Sequence, residues 1–151
     1  MKYIIGIGTY AMFDDSIGIR VIENIVENNL EKGFLALDLS GNNLNLVSYL
    51  NSDTKKILIV DSADLGLPSG EFRFFTPEEV VSEKCLNGFS THEGDVLKTL
   101  CLAREMGYPI PKVIFLGIQA FEMKNEFGLS DVLQNNLKNY VQAAINEIEK
   151  N

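Results

Sequence analysis

The sequence predicts an α/β domain: a single-domain, three-layer sandwich in which a mostly parallel, twisted sheet of about five strands carries helices on both faces. Two observations predict it. Short apolar runs alternate along the chain with amphipathic helical segments. The first three of those runs also end in acid-bearing turns, at Asp14-Asp15, Asp38 and Asp61, where the strands of an open α/β sheet present ligand sites. No repeat, low-complexity tract or linker interrupts the alternation, so residues 1–151 read as one domain.

The first strand is expected over about Lys2–Ile7, an apolar run that closes on Gly6-Ile7-Gly8. Glycine at a strand end permits backbone angles and close approaches that a side chain would block. A helix follows from about Asp15 to Lys32, with Ile17, Val21, Ile22, Ile25, Val26 and Leu30 on one stripe. Asp14 or Asp15 suits its N-cap and Gly33 its C-terminal stop. The second strand spans Phe34–Leu39 and ends in Asp38 and a turn-rich Ser-Gly-Asn-Asn; a short helix covers Leu44–Leu50. The third strand is Lys56–Val60, ending at Asp61-Ser62.

After a turn over residues 65–70, Glu71–Phe75 alternates weakly, as an edge strand does. Thr76-Pro77-Glu78-Glu79 is a helix start, with a threonine cap, proline in the first turn and acids near the positive helix end. From Cys85 to Phe89 the pattern lapses into loop. Ser90-Thr91-His92-Glu93 matches a capping box and opens a helix to about Met106. Lys112–Ile118 reads as a strand buried on both faces. Leu133, Leu137, Tyr140, Val141, Ala144, Ile145 and Ile148 line a final amphipathic helix.

Composition bounds the function classes. A net charge of −8 argues against nucleic acid or an anionic membrane as the main partner. No apolar stretch approaches the about 20 residues that span a bilayer, and no signal peptide precedes the first strand. A cytoplasmic protein without membrane insertion is expected, with Cys85 and Cys101 as reduced, partly buried thiols.

Right-handed crossovers carry Asp14, Asp15, Asp38 and Asp61 to one rim of the sheet. If the strand order begins 2-1-3, Asp15 and Asp61 flank one crevice at the switch point. A single aspartate at such a place is most often a cap or turn former; several converging on one rim point to a shared task. His92 is the one histidine. With Ser90 as N-cap it stands at the second helical position, where the helix dipole disfavours imidazolium by up to about 1 kcal/mol. A neutral imidazole beside two carboxylates suits a divalent metal or general acid–base chemistry, and spacing does not separate these. The Gly6-Ile7-Gly8 pair lacks the third glycine of a dinucleotide fingerprint and no Walker lysine follows it. No serine sits in a nucleophile elbow.

Gly6-Ile7-Gly8 followed by Asp14-Asp15-Ser16-Ile17-Gly18, Ile57-Leu58-Ile59-Val60-Asp61, and Ser90-Thr91-His92, in that order and spacing, resemble the nickel–iron hydrogenase maturation endopeptidases. Asp64-Leu65-Gly66-Leu67-Pro68-Ser69-Gly70-Glu71-Phe72-Arg73 and Val113-Ile114-Phe115-Leu116-Gly117-Ile118-Gln119 are similar to the branch that serves formate-hydrogenlyase-type (hydrogenase 3-like) enzymes. The resemblance implies an aspartyl-type endopeptidase that cuts the C-terminal extension from a nickel-loaded hydrogenase large-subunit precursor. It assigns Asp15, Asp61 and His92 to a metal-binding cluster and Asp15 and Asp38 to candidate catalytic roles. The nickel is held by the substrate, no organic cofactor is implied, and a monomer is expected. It further selects Asp15 for the site and leaves Asp14 as the helix cap. Two positions depart from the common pattern: Thr9 stands where many members have asparagine, and Asp38-Leu39-Ser40-Gly41 replaces a glycine-rich turn. Two readings from other classes are a phosphoacceptor receiver domain, which also uses an acid pair and a strand-ending aspartate, and a nickel-dependent adaptor that binds without cutting. Receivers carry a lysine after the last central strand, where this chain has Gln119-Ala120-Phe121.

Overall fold

A computed structural model of the chain describes residues 1–79 and 91–151, with the backbone alone at residues 43 and 91–94. The apolar runs pair into one sheet of five strands: β1 (Lys2–Gly6), β2 (Leu35–Asp38), β3 (Lys56–Ala63), β4 (Phe72–Phe75) and β5 (Lys112–Gln119). Their spatial order is β2-β1-β3-β5-β4. The first four are parallel, and β4 closes one edge antiparallel to β5. The order therefore begins 2-1-3, and the 71–75 segment is an edge strand, as the sequence predicts.

Alternation along each strand sends successive side chains to opposite faces, which builds two cores. Ile4, Leu58 and Val60 pack under α1 (Ile17–Glu27) and α3 (Asp131–Glu149) against Val21, Ile25, Tyr140 and Ile148. Ile5, Ile59 and Phe115 pack on the other face against Leu46 of a 3-10 helix (Asn43–Tyr49) and Val96 and Leu100 of α2 (Thr91–Glu105). β3 is buried along its whole length, as a central parallel strand covered on both faces must be. At the opposite rim from the acids, Lys2, Lys56 and Lys112 stand in register. Their ammonium groups donate to the last carbonyls of the chain after and within α3, on Glu147, Glu149, Lys150 and Asn151, where the helix dipole is negative.

Two elements differ from expectation, each for a physical reason. The first helix is a 3-10 turn (Phe13–Ser16) followed by α1, and it stops at Asn28 rather than Gly33. Asn29 takes the left-handed conformation (φ 54°), and Leu30 N donates to the Ile25 carbonyl at 3.0 Å, a glycine-style C-terminal stop made with asparagine. β3 runs on to Ala63 because β5 continues beside it, pairing Asp61 with Gly117, Ser62 with Ile118 and Ala63 with Gln119. Asp61 is thus a strand residue and not a turn former. Cys101 is an exposed free thiol. The expected threonine cap at Thr76 forms, and Glu79 completes it as a capping box, with Glu79 N to Thr76 Oγ1 and Thr76 N to Glu79 Oε1 both at 3.3 Å. The expectations for Cys85, the 85–89 loop, the Ser90 cap and the His92 imidazole lie outside the described residues.

Candidate active site at the β1–β3 switch point

Glycines set how closely the chain folds here. A Cβ on Gly18 would stand 2.2 Å from the Val60 carbonyl oxygen and 2.5 Å from that of Ile7; one on Gly6 would stand 2.4 Å from the Gly18 carbonyl oxygen. These are backbone atoms with little freedom to yield, so only glycine lets α1 seat on the ends of β1 and β3. Gly8 has φ 146°, and a Cβ there would meet the Asp15 carbonyl oxygen at 2.2 Å. The loop from Gly8 therefore doubles back against Asp15.

That fold puts Asp15 over the end of β3. Its Oδ2 accepts from Thr9 N at 3.0 Å and its Oδ1 from Ser62 Oγ at 2.7 Å. Both oxygens are engaged, so the carboxylate is held in one orientation, as a metal ligand or general base must be. Asp61 is 1% exposed, and its Oδ1 accepts from Ser62 N at 2.8 Å. The same Oδ1 lies 3.8 Å from where a Gly8 Cβ would be. Asp15 and Asp61 thus share Ser62 and Gly8 as neighbours: the structure brings the two predicted acids together.

Asp14 has a different job from the one expected. It is fully buried, and it caps no helix: Ser16 is the N-cap of α1 and makes no side-chain capping bond. Its Oδ2 accepts from Phe121 N (2.9 Å) and Glu122 N (3.0 Å), and its Oδ1 from Ser130 N (2.7 Å). Phe13 N to the Glu126 carbonyl (2.8 Å) and Asp14 N to that of Glu122 (3.3 Å) complete the tie. The acid loop and the 121–130 loop are one stapled unit.

Asp38 reaches the same rim, in register with Gly6, but it is exposed and its described hydrogen bond is a local turn, from Ser40 N to Oδ1 at 2.9 Å. Its described contacts include neither Asp15 nor Asp61. His92 is the second residue of α2. The short link from α2 into β5 puts the end of α2 at the lysine rim, and hence its start at the rim of Asp15 and Asp61. Among the residues whose side chains are described, no group of three metal-ligating side chains forms. Sequence reasoning missed the Thr9 amide and the Ser62 hydroxyl as holders of Asp15, and the 121–130 loop altogether; that loop carries no periodicity that would reveal it.

The hydrogenase maturation protease family model, of the HycI type, matches residues 19–147. The chain belongs to the hydrogenase maturation proteases. The match begins just beyond Asp15, so the acid loop is characterised by the geometry above and not by the family match. Among relatives, the chain is 26% identical to the hydrogenase expression/formation protein HoxM of Cupriavidus necator, over 99% of this chain and 71% of that protein. It is 23% identical to HupD of Rhodobacter capsulatus, over 83% of this chain and 60% of HupD. The fold is that of the hydrogenase maturating endopeptidase HybD from Escherichia coli (TM-score 0.79, 19% identity, 97% of this chain and 92% of that one). It is equally that of the [NiFe] hydrogenase maturation protease HybD from Thermococcus kodakarensis (TM-score 0.80, 23% identity, 98% and 99%). The family match makes the chain a protease of hydrogenase maturation, and the phosphoacceptor reading falls away. No helix among the described residues is long and apolar enough to cross a membrane.

Proposed function

We propose that this maturation protease removes the C-terminal extension of a nickel-loaded [NiFe]-hydrogenase large-subunit precursor in the cytoplasm, acting as a monomer. Asp15, Asp61 and His92 read nickel that the substrate itself holds. The observation that carries the proposal is the pair of acids, Asp15 and Asp61, set side by side on Ser62 and Gly8 at the switch point in a member of this family. Hard carboxylates pre-oriented by hydrogen bonds fit exposed nickel without a complete protein cage to extract it. In the cut, water adds to the scissile carbonyl as a carboxylate takes its proton. That proton passes to the leaving amine as the C–N bond breaks. In this reading Asp15 acts as that base, and Asp38, exposed on the same rim, touches the passing chain.

The test is incubation with precursor in nickel-loaded and nickel-free forms, reading the mass of the large subunit. Tail release from the loaded form alone is expected, with Asp15→Asn, Asp61→Asn and His92→Ala each blocking it in protein whose circular dichroism shows the fold intact. Nickel-dependent binding without tail release would replace the protease by an adaptor. Normal cleavage by all three variants would overturn the cluster.

A further inference from the structure

Two clefts share a wall at Phe121 and Glu122. One, of about 290 Å³, opens at Ser62, the residue that orients Asp15, and is bounded by Asp64, Phe121 and Glu122. The other, of about 620 Å³, continues past Phe121 and Glu122 to Phe13, Leu129, Ser130 and Val132. The Asp14 carboxylate gathers the amides of Phe121, Glu122 and Ser130, so the shared wall is fixed to the acid loop.

We propose that this trough seats the tail of the substrate as an extended segment, with a cationic side chain over the Asp64–Glu122 stretch and an apolar side chain in the Phe13–Leu129–Val132 cleft. The inference rests on the proteolytic reading above and adds what the tail must look like. Two observations carry it. First, the trough begins at Ser62, which orients Asp15, and its described lining residues include Asp64, Glu122 and Asp131 and no basic side chain, on a chain of net charge −8. Lys124 reaches over this wall: its ammonium pairs with Glu126 at 3.0 Å and Glu122 at 3.6 Å, all three side chains being more than two-fifths exposed, and stands 4.3 Å from the Phe13 ring centroid. Exposed pairs of this kind are weak and screened by solvent, so the place Lys124 takes is one an incoming cation can take instead. Second, Phe121, in the shared wall, is 64% exposed, beside a cleft whose wall includes Phe13, held at φ 53°. Large apolar groups kept in water around a concave site mark a binding surface.

The experiment measures KM for tail release from nickel-loaded precursor, comparing the native tail with one whose lysines and arginines are changed to glutamate. Wild type, Phe121→Ser and the pair Glu122→Lys with Asp131→Lys are compared, all at surface positions that should fold. The acidic tail should raise KM about tenfold for wild type, and the charge-reversed protein should invert that preference. Phe121→Ser should raise KM about tenfold on both tails, the usual scale for losing an aromatic anchor. Sedimentation runs alongside. Cleavage by wild type with KM indifferent to tail charge and to Phe121→Ser overturns this proposal and leaves the protease standing. A concentration-dependent dimer lost in Phe121→Ser, with KM unchanged, overturns it in favour of a second copy of the chain. No cleavage by wild type overturns both readings.

Discussion

Asp14→Asn separates the two readings of the acid pair. Asparagine caps helices about as well as aspartate, so if Asp14 served the start of α1 the substitution would be nearly neutral. The structure instead gives its carboxylate three backbone N–H donors, at 2.7, 2.9 and 3.0 Å, inside a fully buried site. Asparagine has one acceptor oxygen where aspartate has two. It keeps the Phe121–Glu122 pair or the Ser130 bond, and its NH₂ group then faces the donors it fails to serve. A hydrogen bond to a charged group is worth about 1.5–3 kcal/mol, and the bonds retained fall to about 1 kcal/mol each. Losing one charged bond and weakening two comes to about 2.5–7 kcal/mol, a large share of the roughly 5–15 kcal/mol typical of a domain. The chain can limit the cost by letting the 121–130 loop detach. Urea unfolding together with amide exchange therefore makes the assay: either global stability falls by that amount, or the amides of Phe121, Glu122 and Ser130 lose protection. A change below about 1 kcal/mol with those three amides still protected refutes the staple.

Gly18→Ala should cost at least the 1–3 kcal/mol of an overpacked core, because both oxygens it meets belong to the backbone. Gly33→Ala, with φ 78° and open space around it, should cost only the roughly 1–2 kcal/mol of a left-handed alanine; thermal melts compare the two, and equal costs would refute the close approach. Ser62→Ala removes the 2.7 Å donor to Asp15 and should slow tail release while costing about 1.5–3 kcal/mol; unaltered kinetics would show that Asp15 needs no positioning. At the other rim, burial pushes the Glu147 carboxyl up, but the ammonium groups of Lys150 and Lys56 outweigh it and hold its pKa below the model-peptide value of 4.5. A depressed carboxyl stabilises the fold above that value and loses the contribution as pH falls through the folded-state pKa. Glu147→Gln should therefore flatten the acid limb of the stability curve below pH 4.5, and an unchanged limb would assign acid unfolding to other groups.

The parts of this molecule that were legible in its sequence are those fixed by short stretches. Apolar runs such as Ile57–Val60 announce a buried strand by composition alone, and handedness then sends Asp15 and Asp61 to one rim without any knowledge of contacts. The end of α1 was half legible: Asn28-Asn29 and Gly33 are both adequate stops, and the nearer one acts because Leu30 still reaches the core. Asp61 was placed correctly but given the wrong neighbourhood. That β3 carries on past Val60 depends on β5 lying alongside, a pairing more than fifty residues away. The role of Asp14 was out of reach for the same reason. Its partners lie 107 to 116 residues further on, in a loop with neither strand nor helix period.

The two adjacent aspartates show what such distance conceals. Consecutive residues in a helical turn cannot point the same way, so Asp14-Asp15 addresses two partners at once. Asp15 turns to Ser62 on β3, while Asp14 turns to the 121–130 loop. One peptide bond therefore joins the carboxylate proposed to read nickel to the wall proposed to seat the tail. Neither can shift by much without dragging the other, since Gly8 and Gly18 leave no slack beneath the loop. On this reading, metal and tail are sensed by a single rigid piece. A precursor with the right tail but no nickel leaves the carboxylates without their ligand, and one with nickel but the wrong tail is held off the rim by the acids and aromatics of the trough.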